Sequence, residues 1–348
     1  MKVIVWTPFV YNLYCEIGIV GGIAIQMSFW AQTFLQKGWD VYSISNAENA
    51  EINGIRFIKI PHLRIIGILV DIFYSFYYIA CIRPDVILFR GASRSLAYLS
   101  LFAKLFGVKL IFFGASDTDF KKEQELIGRK HDRVLYRFGL RNTKYFVAQN
   151  QLQYDLLLNA YDKKNVIVIP NIWLQQEQGN RERDIILWVS NFRQLKRPQW
   201  FIQLAKDFPQ YKFVMVGAAL DKQLFDECKS EAERLPNLDF MGGQSFANVN
   251  DIFTRAKYFV CTSEIEGFPN TFLQSWSNSI PVITTFDPSS LVANKNLGLV
   301  VNSYDELKNA IIKIEKDEML YKEMQNNINN YFIQSHSALM QYDKLLNL

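Results

Sequence analysis

Short apolar runs alternate with helix-length amphipathic segments along the first half of this chain. The first run is Lys2 to Thr7, and a segment of helical periodicity follows at about Ile23 to Gln36, ended by Gly38. Further strand-length runs recur at Asp40 to Ser45, Ile55 to Ile60, Val86 to Phe89, Lys109 to Phe113, Tyr145 to Ala148 and Val166 to Ile169. This alternation is typical of a parallel, doubly wound α/β sheet.

A polar stretch at residues 175–184, shortly after Pro170, separates this half from a second alternation. The later strand-length runs are Ile185 to Val189, Lys212 to Val216, Leu238 to Phe240, Tyr258 to Cys261, Pro281 to Thr285 and Leu299 to Val301. The pattern predicts a second parallel sheet. We therefore expect a first domain at residues 1–170 and a second at residues 171–330.

Composition allows two buried cores and excludes several classes of site. The 348 residues are 49% hydrophobic and 21% charged, which is typical of a globular protein. A net charge of +4 suits anionic substrates or a membrane surface, fits an ordinary solvated surface equally well, and is too small to indicate nucleic acid. Four scattered cysteines and three scattered histidines favour reduced thiols over a zinc site or a Ser-His-Asp triad.

Two apolar segments bear on location. The opening run ends at Pro8 without a small-residue cleavage site, so we expect no cleavable signal peptide and a cytoplasmic protein. The longest apolar stretch, Ile65 to Ile82, is interrupted by Gly67 and Asp71 and barely reaches spanning length. It predicts a helix that is buried or touches a membrane and does not cross it.

The most informative stretch is Tyr258 to Thr285. Its pattern predicts a strand to Cys261, a break at Gly267 and Pro269, a helix capped by Asn270 that runs through Ser279, and another strand. This arrangement points the N–H groups of a helix start at the carboxyl edge of a parallel sheet. A phosphorylated ligand is favoured there.

The same stretch resembles a known family. Glu266-Gly-Phe-Pro-Asn270, followed by a helix and Ile280-Pro-Val-Ile283, resembles the donor-site signature of glycosyltransferase family 4. These are retaining enzymes of the GT-B fold: two Rossmann-like parallel-sheet domains face a central cleft, and the C-terminal helix, here about residues 331–348, crosses back to the first domain. The family usually has a second glutamate eight positions after the first, where this chain has Gln274.

The resemblance implies roles on the donor side. Glu266 would hold sugar hydroxyls and Gln274 the ribose. The loop from Ser190 to Pro198 resembles the Arg-and-Lys pair that neutralises the leaving diphosphate, with Arg193 and Lys196 as the cations. The remaining donor-binding candidates are Asn191, Gln244, Gly267, Phe268, Pro269, Asn270 and Thr271.

Candidates in the first half carry alternative interpretations. In family 4 a glycine pair such as Gly21 and Gly22 faces the donor diphosphate, although a plain turn explains two glycines equally well. Asp117 would face the acceptor and the transferred sugar, or it caps a local turn. Asp117-Thr-Asp119 also spells a metal-binding triplet, which we discount because GT-B enzymes usually work without a bound metal. Arg90 is either an acceptor-side residue or a solvated one.

The expected function follows from the resemblance. A sugar would move from a UDP- or GDP-sugar to a hydroxyl of a glycan or lipid-linked acceptor in cell-surface polysaccharide biosynthesis, with retention of configuration. The leaving phosphate would take the acceptor proton, so neither a protein base, a metal nor another cofactor is expected. Peripheral membrane contact is expected and nucleic acid is not. The alternatives are a non-catalytic sugar-nucleotide-binding protein of the same fold and a sugar-nucleotide epimerase.

Overall fold

The structure is a computed structural model that describes residues 1–15, 21–61, 67–174, 182–265 and 268–348. The chain divides into two compact units. Unit 1 comprises Met1–Ile172 and Ser335–Leu348, and unit 2 comprises Trp173–Gln334. The first crossing therefore follows residue 172, beside the Pro170-Asn171 break in the sequence.

Unit 1 is built around an eight-stranded open sheet. Its strands are β1 (Lys2–Val5), β2 (Asp40–Ser45), β3 (Ala50–Ile52), β4 (Ile55–Lys59), β5 (Val86–Arg90), β6 (Lys109–Phe113), β7 (Tyr145–Ala148) and β8 (Asn165–Val168). Its helices are α1 (Phe9–Tyr14), α2 (Gly22–Gln36), α3 (Gly67–Ile82), α4 (Ser95–Phe106), α5 (Lys130–Asn142), α6 (Gln151–Tyr161) and the last helix of the chain, Ala338–Leu346.

The strand order of unit 1 is β3-β4-β2-β1-β5-β6-β7-β8. All neighbouring strands are parallel except β3 and β4, which form an antiparallel hairpin. The sequence analysis missed β3. Its turn residues Asn53 and Gly54 both have positive φ (50° and 79°), as a tight hairpin turn requires.

Unit 2 has a six-stranded parallel sheet in the order β11-β10-β9-β12-β13-β14. Its strands are β9 (Ile185–Val189), β10 (Lys212–Val216), β11 (Leu238–Gly242), β12 (Ala256–Cys261), β13 (Val282–Thr284) and β14 (Gly298–Val300). Its helices are α7 (Pro198–Asp207), α8 (Lys222–Ala232), α9 (Phe246–Thr254), α10 (Asn270–Ser277), α11 (Leu291–Asn294), α12 (Tyr304–Lys316) and α13 (Glu318–Ser335), the last residue of which belongs to unit 1.

The predicted helix after Pro269 begins and ends differently from expectation. Asn270 is the first residue of α10, and Pro269 occupies the N-cap position with extended backbone. Proline suits this place because it has no N–H that the helix would have to satisfy. The helix ends at Ser277 instead of Ser279, since Ser279 adopts a left-handed φ of 55°.

The apolar segment predicted at Ile65 to Ile82 forms α3 from Gly67; Ile65 and Ile66 lie outside the described residues. Only Ser75 and Ile79 of this helix are fully buried, so of the two alternatives the buried helix is wrong, and contact with a membrane stays a prediction. Within the described ranges, no helix is long and apolar enough to cross a membrane.

The last helix, α14 (Ala338–Leu346), packs on α2. Tyr342 accepts a hydrogen bond from Trp39 Nε1 at 2.7 Å, and its ring meets Phe34 edge-on at 5.1 Å between centroids. Just before the helix, the ring of His336 is buried and its Nδ1 lies 2.7 Å from the carbonyl oxygen of Asn171. A carbonyl can only accept, so Nδ1 donates.

We expect His336 to make unit 1 acid-sensitive. Burial lowers its pKa from 6.5 to about 4, so the unfolded chain binds a proton in that pH range that the folded chain does not. The stability that neutral His336 allows is therefore fully present above pH 6.5. As the pH falls to about 4, the free energy of unfolding decreases by about 3 kcal/mol.

Urea denaturation at several pH values checks this. The difference in unfolding free energy between wild type and His336→Gln should change by that amount over the window, because glutamine keeps a donor but does not titrate. Parallel pH profiles for the two proteins would contradict it.

Candidate active site

A pocket of about 440 Å³ opens in unit 2 at the carboxyl ends of its central strands. The chain runs outward in one direction from β9 to β11 and then returns to place β12 on the other side of β9. Val189, Ser190, Cys261 and Ser263, from the ends of β9 and β12, line the pocket. It therefore occupies the topological switch point, where open α/β sheets bind ligands.

One wall carries the predicted cations. The loop after β9 contributes Asn191, Arg193 and Lys196 to the pocket lining. Arg197, next in sequence, is used differently: it has a left-handed φ of 45°, and its guanidinium stacks 4.4 Å from the Trp200 ring centroid. Of the three basic residues in this loop, two line the pocket and the third fixes the loop.

Thr262, just after β12, holds that loop in place. Its buried hydroxyl accepts from Trp188 Nε1 at 3.0 Å and donates to the carbonyl oxygen of Lys196. The Thr262 carbonyl accepts from Arg197 Nε at 2.9 Å, and Glu264 N donates to Leu195 O at 2.8 Å. These bonds fix the backbone of Lys196 against the end of β12. The sequence analysis missed Thr262, whose only signal was a polar residue directly after an apolar strand.

The start of α10 forms a second wall. Pro269, Asn270 and Thr271 line the pocket. Pro269 at the N-cap has no side chain that can accept from the first-turn N–H groups, so the positive end of the helix dipole is directed at the pocket. This end of the helix favours an anion.

The third wall comes from β10 and β11. Gly217 packs so tightly that an added Cβ would lie 1.8 Å from the Ser190 carbonyl oxygen, so only glycine fits here. Gln244 also lines the pocket, and its side-chain N–H group donates to the Met241 carbonyl at 2.8 Å. Gly242, the last residue of β11, has a left-handed φ of 65°, which favours glycine.

The pocket is electropositive as far as the structure describes it. Arg193 and Lys196 are the charged side chains among its described lining residues, and none of those is acidic. Together with the helix dipole they supply charge that suits a diphosphate.

Two other predicted donor-side residues do not line the pocket, and two more lie outside the described residues. Gln274 is buried on α10, where its Nε2 donates to Asn250 Oδ1 at 2.9 Å, and it is not among the pocket-lining residues. Phe268 is 37% exposed, packs edge-on near Trp276, and does not line the pocket either. Glu266 and Gly267 lie outside the described residues.

Unit 1 has its own pocket, of about 410 Å³, at the carboxyl ends of β5 and β6. Gly22 at the start of α2 lines it, whereas Gly21, the N-cap of that helix, does not. Arg90 and Asp119 are the charged residues among its described lining. The sequence analysis left Arg90 between two interpretations; the structure buries it.

Arg90 is a buried cation with incomplete pairing. Its side chain donates to Asn171 Oδ1 at 2.7 Å, but Nε has no hydrogen-bond partner within the described chain. Burial lowers its pKa to about 10, and the nearby Asp119 carboxylate opposes that shift. Burial raises the pKa of Asp119, although Ala115 N and Ser116 N both donate to it.

Asp117 does not line this pocket. Its Oδ1 accepts from Asn150 Nδ2 at 3.1 Å and from Gln153 Nε2 at 3.0 Å, at the start of α6. The neighbouring Asp119 instead completes a capping box with Ser116 and faces the pocket. Among the residues that the structure describes, no three His, Cys, Asp or Glu side chains converge as a metal site.

Comparison with known proteins agrees with this geometry. Residues 171–331 match the family model described as glycosyl transferases group 1. Over 129 residues the chain is 31% identical to the poly(glycerol-phosphate) alpha-glucosyltransferase of Bacillus subtilis, an alignment covering 35% of this chain and 19% of that protein. Over 219 residues it is 24% identical to the alpha-galactosylglucosyldiacylglycerol synthase of Streptococcus pneumoniae, covering 57% and 58%. The aligned region thus spans less than two thirds of either relative.

Solved structures share the fold over the whole chain. A glycosyltransferase from Rickettsia africae superposes with a TM-score of 0.72 at 16% identity, covering 99% of this chain and 97% of the other. HepE from Anabaena, solved with UDP and glucose, gives 0.65 at 15% identity and full coverage of both. The UDP-GlcNAc 2-epimerase of Methanocaldococcus jannaschii gives 0.64 at 10% identity, covering 99% of each chain. The chain has the GT-B fold, and the group 1 glycosyl transferase model matches its residues 171–331.

We expect Thr262→Val to weaken both stability and the cationic wall. Valine keeps the shape but leaves Trp188 Nε1 and the Lys196 carbonyl without their buried partner, at a cost of about 2 kcal/mol in the free energy of unfolding. Thr262→Ser keeps the hydroxyl and is the matched control. Urea denaturation measures the difference; equal stability of the valine and serine variants would contradict the role given to this hydroxyl.

Proposed function

We propose that this chain is a retaining glycosyltransferase of family 4 that moves a sugar from a UDP- or GDP-sugar to a hydroxyl of a glycan or lipid-linked acceptor. The observation that carries the proposal is the unit 2 pocket at the strand switch point. There Arg193, Lys196 and the start of α10 surround one space of about 440 Å³, within the size range of small-ligand sites. A nucleotide diphosphate matches that charge.

The chemistry assigns each of these groups a task. As the bond between the anomeric carbon and the diphosphate breaks, negative charge grows on the leaving group and positive charge on the sugar. Arg193, Lys196 and the helix N–H groups stabilise the growing anion without reorganising. Glu266, by its resemblance to the family signature, holds the sugar hydroxyls in position. The leaving phosphate accepts the acceptor proton, so neither a protein base nor a metal is needed.

The contacts of Gln274 support a role other than the ribose contact that the resemblance implies. Its buried hydrogen bond to Asn250 ties α10 to α9. We therefore propose that Gln274 positions the helix whose first turn binds the diphosphate. Recognition of the base and ribose falls to the wall around Gln244.

On the acceptor side we propose that the unit 1 pocket binds a substrate carrying phosphate. A buried guanidinium with an unused N–H is costly unless an anion completes its hydrogen bonds, and Arg90 lines this pocket. The name of one relative, the poly(glycerol-phosphate) alpha-glucosyltransferase, fits such a substrate. The name of the other, the alpha-galactosylglucosyldiacylglycerol synthase, fits a lipid acceptor and names no phosphate. We accordingly place the protein in cell-surface polymer or glycolipid synthesis, in the cytoplasm and in peripheral contact with the membrane.

Because a UDP-GlcNAc 2-epimerase has a similar fold, epimerisation of a nucleotide sugar is the second candidate activity. An epimerase would return a nucleotide sugar with altered configuration, whereas a transferase releases the nucleotide diphosphate. A non-catalytic binder would do neither. Product analysis after incubation with a panel of nucleotide sugars distinguishes the three.

We expect Lys196→Ala to reduce donor cleavage by about 100- to 1000-fold, the loss seen when one preorganised donor to a developing anion is removed. Glu266→Ala should also abolish cleavage, through loss of sugar positioning. Nucleotide release from UDP- and GDP-sugars, with and without acceptor, is the measurement. Lys229→Ala, an exposed lysine paired with Glu233 on α8, is the control and should match wild type.

Two outcomes would overturn the transferase proposal. If a nucleotide sugar binds but wild type never releases the nucleotide with any candidate acceptor, the protein is not a transferase, and the configuration of the recovered nucleotide sugar distinguishes a binder from an epimerase. If Lys196→Ala cleaves the donor as fast as the Lys229→Ala control, the cationic wall does not serve the leaving group.

We expect Arg90→Met to separate binding from stability. The KM for a phosphate-bearing acceptor should rise by about 10- to 100-fold, because hydrogen bonds to charged groups contribute about 1.5–3 kcal/mol. The melting temperature should hold or rise, since the change removes an incompletely paired buried charge. Arg56→Met, at an exposed position in unit 1, is the control. A lower melting temperature with unchanged KM would show that Arg90 is structural.

A further inference from the structure

Three helices of unit 1 expose large apolar side chains on one side of the molecule's first sheet. We call this set the apolar face. Its members are each between 37% and 68% exposed: Leu69, Phe73, Phe76 and Tyr77 on α3, Leu101, Leu105 and Phe106 on α4, and Val134 and Phe138 on α5.

The spacing arranges these residues as a stripe along each helix. Phe73 and Tyr77, Leu101 and Leu105, and Val134 and Phe138 are pairs separated by four positions, so each helix presents an outward stripe. The three helices pack side by side, and their inner residues Ile79, Leu99 and Leu140 belong to one core cluster.

Aromatic contacts join α3 to α4 within this surface. Phe76 meets Phe102 and Phe106 at 5.5 and 5.3 Å between ring centroids. A contiguous exposed apolar patch marks a site of contact with another protein or with a membrane.

The carboxylates on these helices are neutralised. Asp71 on α3 and Asp132 on α5 both pair with Arg94, at 3.6 and 3.5 Å. No other acidic residue occurs on α3 or α5, and α4 has none. The face therefore carries no carboxylate that would repel an anionic partner.

Cations collect at one end of the face. Lys104 lies one turn beyond Leu101 on α4, and Arg141 one turn beyond Phe138 on α5. Both side chains, with Lys144, line a pocket of about 420 Å³ that also presents Ser100 and Thr143. All three cations are exposed. Within the described residues, none of them has an ion-pair partner.

We propose that the apolar face docks on an anionic lipid bilayer, and that the pocket of Lys104, Arg141 and Lys144 binds an anionic lipid headgroup. The apolar stripes would enter the interface while the cations remain at headgroup level. Charge favours the lipid bilayer over a second copy of this chain as the occupant. A second copy, with a net charge of +4, would bring the same cations to the contact. The inference deepens the proposed function by naming the surface of its membrane contact, and its binding test needs no sugar transfer.

The test is vesicle flotation with the full chain. Wild type should bind vesicles of phosphatidylcholine mixed with phosphatidylglycerol, bind pure phosphatidylcholine weakly, and lose binding as salt is added. Replacing Lys104, Arg141 and Lys144 together by Gln should lower the partition coefficient by roughly 100-fold, at about fivefold per cation. Phe73→Ser combined with Leu105→Ser should lower it by about tenfold or more through lost apolar burial.

Met319→Ser is the matched control, because Met319 is 82% exposed on α13 in unit 2. Its binding should equal wild type, and circular dichroism should show that all variants are folded. The inference is overturned if wild type fails to bind the anionic vesicles, or if the control loses as much binding as the face variants.

The oligomeric state provides the remaining decisive outcome. If light scattering shows a dimer that Phe73→Ser with Leu105→Ser converts to monomer, the occupant is a second copy and the lipid proposal is wrong.

Nucleotide release with donor alone is measured in parallel. Face variants should retain it, so loss of vesicle binding and failure of the transferase proposal are read from separate assays.

Discussion

The arrangement of the unit 2 pocket depends on one buried hydroxyl. Thr262 bonds to the Lys196 carbonyl, 66 residues earlier in sequence, and to the indole of Trp188 on the neighbouring strand. The cationic loop after β9 and the loop before α10 are far apart in sequence, because β9 and β12 become neighbours only when the sheet is assembled. The hydrogen bonds of Thr262 connect the two loops, and Arg197 adds a further bond to the Thr262 carbonyl. A basic loop at the surface becomes one wall of a defined pocket.

The two units treat positive charge in opposite ways. In unit 2 the cations Arg193 and Lys196 line the pocket, Arg193 exposed and Lys196 half-buried, so solvent lowers the cost of their charge. In unit 1 the guanidinium of Arg90 is already desolvated, with Asp119 near but not in direct contact. Such a charge costs stability in the free protein, which a bound anion would offset. This difference supports the two proposals made for these pockets, a leaving diphosphate in unit 2 and a phosphate-bearing substrate in unit 1.

Where the pattern of residues was local, it predicted the structure closely. The bounds of β2, β6, β7, β9 and β10 match the apolar runs because a buried parallel strand is a continuous apolar segment between breaks. The hairpin strand β3 was missed because its three residues carry no apolar run. The start of α10 was displaced by one residue, since Pro269 and Asn270 are both acceptable at a helix boundary and only backbone geometry chooses. The alternation predicted two parallel sheets, and the resemblance around Glu266 implied the GT-B fold, which the solved structures share.

The sequence by itself determined the two sheets, the order of their strands along the chain and the chemical types gathered near the second sheet's carboxyl edge, because these depend on periodicity and short motifs. Only the tertiary structure decided which polar residue of a motif faces a pocket. Asp119 does and Asp117 does not, and Gln274 pairs with Asn250 inside the fold. The tertiary structure also decided that the aromatic residues of α3 are exposed to solvent, because a covered and an exposed apolar helix can have the same sequence pattern. Direction and burial arise from packing between elements far apart in sequence, which no local pattern contains.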